Sequence, residues 1–276
     1  MRMITFPDGT QVPALGQGTW MMAEQPGRRA DEIAALREGI ELGMTLIDTA
    51  EMYGEGAAEV LVGEAVGAVR DRVFLVSKAY PHNASRQRLP QACEASLRRL
   101  GTDRIDLYLL HWRGSVPLAE TAEAMERLRA AGKIARWGVS NLDTDDMEAL
   151  VAAGGVACQT DQILFNLTRR GPEHALLPWL SAHRIPVMAY SPVEQGRLIA
   201  HRGLAAMAET LGATPAQVAL AWLLAQDGVI AIPKAGSIAH VRENRAAADI
   251  RLTDDDMRRL AAMFPRPRTP LPLEML

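Results

Sequence analysis

The sequence predicts an α/β protein: one (β/α)8 TIM barrel over residues 1–276, with an N-terminal β-hairpin and extra helices near the C-terminus. Three observations carry this expectation. Short apolar runs alternate with helical periodicities, which implies parallel strands joined by crossover helices. Eight of those runs close on a polar or aromatic residue: Trp20, Asp48, Lys78, His111, Ser140, Gln162, Tyr190 and Lys234. Their spacing, 22 to 44 residues, is about one strand–helix unit each time. Finally, 276 residues at 48% apolar composition fill one large core, and no linker or low-complexity stretch divides them. A doubly wound open sheet is the main alternative. In a parallel barrel the C-terminal strand ends share one rim, so the eight residues would converge on a single mouth.

The elements follow in order. "MRMITFPDGTQVPALGQGTW" reads as a hairpin around a Pro-Asp-Gly turn. Ile33, Leu36 and Ile40 sit at helical spacing, and "TLID" is a strand ending on Asp48. "VFLVSK" is the next strand, "LPQACEASLRRL" a helix and "IDLYLLH" a strand. Leu118, Ala122, Met125 and Leu128 mark one helix face. "ARWGVS", "ACQTDQ", "VMAYS" and "VIAIPK" are further strands, separated by helical segments. Thr214-Pro215-Ala216-Gln217 offers a capping hydroxyl, Pro at the first helical position and Gln at the third, a strong helix start. Thr253 and the three aspartates after it start the last helix similarly, and prolines thicken in the tail "FPRPRTPLPLEML".

Composition excludes several functions. Net charge is −3 with no basic tract, so nucleic acid is not an expected partner. The longest glycine-free apolar run, 218–225, is far short of the ~20 residues a membrane helix needs, so no membrane partner is expected. The N-terminus has no apolar signal region, and Cys93 and Cys158 have neither metal nor redox spacing. A cytoplasmic protein with two buried thiols is the expectation. The six histidines, at 82, 111, 174, 183, 201 and 240, form no His-x-His or His-x-x-x-His pair, which argues against a metal-hydrolase barrel. "GQGTWM" lacks the third glycine of a dinucleotide fingerprint.

Asp48, Lys78 and His111 end three consecutive strands, and Tyr53 follows Asp48 by five residues. Singly, each has an ordinary explanation: a cap, a snorkelling lysine, a core histidine, a packed phenol. Together they suggest chemistry. A free phenol titrates near 10, and a neighbouring cation lowers that value. Lys78 supplies the cation and Asp48 holds it by a charge-assisted bond. His111 either orients a carbonyl oxygen or helps pass a proton. Tyr53 is then a general acid for an oxygen that becomes an alkoxide on hydride transfer.

The stretches "GQGTW", "DTAEMYG", "LVSK", "DLYLLHW", "GKIARWGVSN", "QILFN", "AYSP" and "IPKAGSIAHVREN" resemble the aldo-keto reductase family along nearly the whole chain, most of all its short bacterial members that reduce small aldehydes and 2-oxoaldehydes. The resemblance implies the barrel, and nicotinamide-dependent carbonyl reduction without metal or flavin. It places the family's catalytic tetrad on Asp48, Tyr53, Lys78 and His111. Gly18, Thr19 and Trp20 fall near the nicotinamide and substrate. Ser140 and Asn141 match the carboxamide-binding pair, with Gln162 beside them, and Tyr190 matches the aromatic residue stacked on the nicotinamide. Ser191 and Val193 belong to the loop along the pyrophosphate. Lys234 matches a lysine at the adenosine 2′-phosphate, with Ala235, Gly236 and Ser237 in the following turn, His240 on the helix after it, and Glu243 and Asn244 at the adenine end. Ala235 and His240 depart from a serine and an arginine common in the family, so two phosphate contacts are lost. NADPH is the implied cofactor, with NADH as the alternative. Trp20 and Trp112 should flank a small carbonyl substrate such as methylglyoxal, in a site left open and shallow by a short segment after His111 and a short tail. A monomer is expected. The rival functions are a cofactor-binding regulatory barrel with little turnover and a non-redox barrel lyase or isomerase.

Overall fold

The computed structural model describes residues 1–276. Strands β1 (Met3–Thr5) and β2 (Gln11–Pro13) pair antiparallel, with Ile4 opposite Val12. Gly9 turns the chain between them at a φ of +87°, a conformation that strains any other residue. Eight strands then form one parallel sheet whose spatial order is the chain order. They are β3 (Gln17–Gly18), β4 (Leu46–Asp48), β5 (Phe74–Ala79), β6 (Ile105–Leu110), β7 (Ile134–Ser140), β8 (Asp161–Leu164), β9 (Val187–Tyr190) and β10 (Val229–Ala231). The helices between them are α1 (Arg29–Glu41), α2 (Ala57–Val66), α3 (Arg88–Leu100), α4 (Leu118–Ala130), α5 (Thr144–Ala152) and α6 (Leu176–Ala182). Both α7 (Arg202–Thr210) and α8 (Pro215–Leu224) lie between β9 and β10, which accounts for the long interval from Tyr190 to Lys234. After β10 come α9 (Ile238–Ala246) and α10 (Asp254–Met263). The Thr214–Gln217 and Thr253–Asp256 pairs cap α8 and α10 reciprocally.

The sheet curls until its two outer strands meet. Leu15 bridges Ala231 and Gly18 bridges Lys234, both parallel. Gly16 N donates to Ala231 O at 2.9 Å, Ala231 N to Ala14 O at 2.8 Å and Gly18 N to Pro233 O at 3.0 Å. A Cβ on Gly18 would stand 2.7 Å from Ile232 O, so only glycine fits at this seam.

Two apolar layers hold the fold. Inside the sheet, Leu46, Val76, Leu107, Leu109, Met188, Ile230 and Ile232 pack with Ile4, Phe6, Val12 and Ala14 of the hairpin region. The hairpin therefore plugs one end of the sheet's interior. A larger cluster of 59 buried residues joins the outer sheet face to the helices. Burying each Leu, Ile or Val side chain contributes about 1.5–3 kcal/mol before the opposing chain entropy.

Three strands differ from expectation. β10 ends at Ala231, three residues before Lys234. Residues 157–160 of "ACQTDQ" precede β8. β8 runs on to Leu164, so Gln162 lies within it rather than at its end. Ile163 and Leu164 continue the apolar run, and the Gln162 amide finds a buried partner. β3 stops at Gly18, leaving Trp20 outside the sheet and 41% exposed. Cys93 and Cys158 are buried free thiols, pushed up to about 12 chiefly by burial. No helix is long and apolar enough to cross a membrane.

Candidate active site

β4, β5 and β6 are neighbours, so Asp48, Lys78 and His111 arrive together. Tyr53 comes back toward them in a tight turn, Tyr53–Gly56, just past β4. Lys78 is completely buried. Its ammonium donates to Asp48 Oδ2 at 2.8 Å, Thr49 O at 3.0 Å and Tyr53 Oη at 3.1 Å, which uses all three protons. Burial disfavours that charge, but Asp48 and Tyr53 more than offset it, and the lysine pKa stands above its usual value. The other Asp48 oxygen accepts from Gln162 Nε2 at 2.8 Å, and its main-chain carbonyl accepts from Thr19 Oγ1 at 2.9 Å. Gln162 and Thr19 thus support the acid–lysine pair from below.

The phenol corrects one expectation. Burial raises the Tyr53 pKa more than the Lys78 charge lowers it, and Asp48 adds to the rise, so the net displacement from 10 is upward. A phenolate in a 9% exposed position loses most of its water, while the lysine charge is shared with Asp48. Tyr53 is therefore protonated at neutral pH, as an acid must be before it acts. His111 is displaced further: burial, then the Lys78 charge, pushes its pKa down to about 2. The ring is neutral, with Nδ1 buried and without a partner. Its plane meets that of Tyr53 at 77°, with centroids 5.9 Å apart.

Above this floor lies a cleft of about 660 Å³. Its wall gathers Gly18, Thr19, Trp20, Asp48, Tyr53, His111, Trp112, Ser140, Asn141, Gln162, Tyr190, Ser191, Val193 and Lys234, from almost the full length of the chain. Several polar side chains pair among themselves. Ser140 Oγ donates to Gln162 O at 2.7 Å, Asn141 Nδ2 to Ser140 Oγ at 3.0 Å and to His111 O at 3.1 Å, and Tyr190 Oη to Asn141 Oδ1 at 2.9 Å. Ala235, Gly236, Ser237, His240, Glu243 and Asn244 lie outside the cleft wall, on the turn after Lys234 and on α9. Glu243 is engaged elsewhere, accepting from Thr214 Oγ1 at 2.5 Å.

Sequence reasoning missed Met21, Met52, Gln195, Met275 and Leu276, all of which line the cleft. The short tail does not leave the mouth bare. Arg169 Nη2 donates to Glu194 Oε1 at 2.6 Å and Arg169 Nη1 to Glu274 Oε1 at 2.5 Å, so one guanidinium ties the loop after β9 to the tail. Leu273 N donates to Asp143 Oδ2 at 3.1 Å. The apolar ending "LPLEML" was the available signal, since such residues seek a surface to cover. In the loop itself Ser191, Glu194 and Gln195 hold φ values of 47°, 51° and 54°, left-handed conformations that need external support. Asn166 gives part of it, donating to Ser191 O at 2.9 Å and Glu194 Oε2 at 2.7 Å.

A closed parallel sheet with a buried Asp–Lys–Tyr network at one mouth defines a class, and the comparisons agree. The chain belongs to the aldo/keto reductase family, whose model matches residues 14–264. It is 51% identical to methylglyoxal reductase YeaE of Escherichia coli (strain K12), over 100% of this chain and 99% of that one. An aldo/keto reductase from Klebsiella pneumoniae, crystallised with NADP and acetate, superposes with a TM-score of 0.97 at 52% identity and 99% coverage of both chains. A K. pneumoniae aldo-keto reductase in complex with NADPH also gives 0.97 and 52%, over 100% of each chain.

Proposed function

We propose that this protein uses NADPH to reduce small aldehydes and 2-oxoaldehydes, such as methylglyoxal, to alcohols, with Tyr53 as the general acid. The observation that carries the reading is the Tyr53–Lys78–Asp48 chain of 3.1 and 2.8 Å bonds beneath an open cleft. The donor set fits the cofactor. Ser140, Asn141 and Tyr190 would hold the carboxamide-bearing ring, the loop that carries Ser191 and Val193 would hold the pyrophosphate, and Lys234 would offer a cation to the 2′-phosphate; all six line the one cleft. When bound, the reduced nicotinamide supplies a hydride. The chain's own residues do the rest. Tyr53 Oη gives its proton to the carbonyl oxygen as that oxygen gains negative charge. Lys78, fixed by Asp48 and Thr49, stabilises the phenolate left behind. His111, being neutral, orients the oxygen rather than protonating it. Trp20, Trp112 and Met21 give the carbonyl an apolar surround. We take residues 1–276 to form a single (β/α)8 barrel domain, monomeric and cytoplasmic; the buried free thiols agree with a reducing compartment.

The test is NADPH consumption with methylglyoxal and a panel of small aldehydes. Turnover is expected, and Tyr53→Phe should lower kcat by at least ~10²-fold, the lower range for a positioned acid. NADPH binding, followed by tryptophan quenching, should change little. A Tyr53→Phe protein that keeps a third of wild-type turnover would remove Tyr53 from the acid role.

A further inference from the structure

Arg28 closes the turn Pro26–Arg28 that leads into α1, and its Nη2 donates to Gly236 O at 3.3 Å. Gly236 stands two residues past Lys234, 208 positions away in the chain from Arg28. A point one side-chain carbon out from Gly236 is 3.4 Å from Arg28 Nη2 and 3.5 Å from Lys234 Nζ. Two cations therefore flank the point where a side chain on residue 236 would begin, left free because that residue is glycine. Neighbouring arginines are neutralised: Arg29 by Glu64 at 2.6 Å and Arg242 by Glu38 at 2.8 Å. Arg28 and Lys234 have no such carboxylate partner. The nearby acid Glu32 is engaged elsewhere, since its Oε2 accepts from Ala23 N at 2.9 Å, and its Cγ lies 3.7 Å from the same point. The N-terminus of α9, capped by Ser237, begins directly after Gly236 and adds the positive end of a helix dipole.

We propose that Arg28 is a specificity-determining residue for the cofactor, binding its 2′-phosphate together with Lys234. This rests on the reading above, in which Lys234 meets the phosphorylated adenosine end. The guanidinium presents a planar fork suited to two phosphate oxygens, whereas the lysine acts as a point charge. His240 lies on α9, where its backbone N–H donates to the Ser237 cap.

The experiment compares wild type, Arg28→Ala, Arg28→Lys and Lys234→Ala. Steady-state kinetics with NADPH and NADH use one aldehyde, and calorimetric titration uses adenosine 2′,5′-bisphosphate against adenosine 5′-monophosphate. Arg28→Ala should lower the NADPH-to-NADH ratio of kcat/KM about tenfold, the factor that one partly exposed charge-assisted bond supplies. The loss should fall on KM for NADPH, and the bisphosphate should weaken by the same factor while the monophosphate does not. Arg28→Lys should recover part of the loss. If Lys234→Ala loses selectivity and Arg28→Ala does not, the proposal fails while the placement of the phosphate end stands. If neither variant loses selectivity, that placement fails and the proposal with it.

Discussion

His111 shows how far surroundings can move a single side chain. With its pKa pushed down to about 2, the folded protein keeps this imidazole neutral where an unfolded chain would protonate it near 6.5. Below 6.5 the unfolded state binds a proton that the folded state refuses, so this residue makes stability fall as pH falls. His111→Gln removes that proton linkage. The drop in Tm between pH 8 and pH 5 should be smaller in the variant than in wild type; an equal drop would mean that His111 is not held neutral by the fold. The sequence brought out the identity of the four reactive side chains, because each follows or ends an apolar run. It left the roles of His111 open, and it pointed the wrong way for Tyr53. Both depend on burial, which arises only when β4, β5 and β6 come side by side in the folded sheet.

At the scale of the element, β8 carries the sharpest internal conflict. Its first residue, Asp161, is completely buried, and neither carboxyl oxygen has a side-chain or main-chain partner at hydrogen-bond geometry. Burial, only partly offset by the nearby Leu142 main chain and reinforced by Asp143 and Asp146, raises its pKa well above the carboxylate range. Above about pH 4 the unfolded chain releases this proton and the folded chain keeps it, so stability falls as pH rises through that window. Asp161→Asn keeps the shape and cannot ionise. Chemical denaturation should show the variant more stable than wild type at pH 8, with the gain vanishing by pH 3; no gain at pH 8 would mean that Asp161 ionises freely in the fold. The same strand shows where pattern reading slipped. The regular spacing of polar strand ends closes "ACQTDQ" on Gln162, yet the bond from Gln162 to Asp48 makes a glutamine tolerable inside the strand, which continues to Leu164. The turn 194–200 was not readable as structure either, since its left-handed residues include Glu194 and Gln195, neither of them a glycine or asparagine.

In the whole molecule, the regular return of strand ends made the parallel sheet and its common mouth legible from spacing alone. Contacts between distant parts of the chain were not: Arg28 with Gly236, or Arg169 with Glu274, become neighbours only once the chain has folded. The seam is the clearest such contact. β5 and β6 are six-residue strands, whereas β3 has two residues and β10 three, and these last two join only through bridges at Leu15–Ala231 and Gly18–Lys234. Gly18 and Lys234 also both line the cleft. A molecule lying in that cleft touches both sides of this sparsely paired joint and acts as a clasp, holding shut a hoop that closes on few bonds. Hydrogen exchange should therefore be faster at the Gly16, Gly18 and Ala231 amides than along β5 and β6, and NADPH should slow those three most. Uniform slowing across the sheet would show that the hoop is already fastened without it.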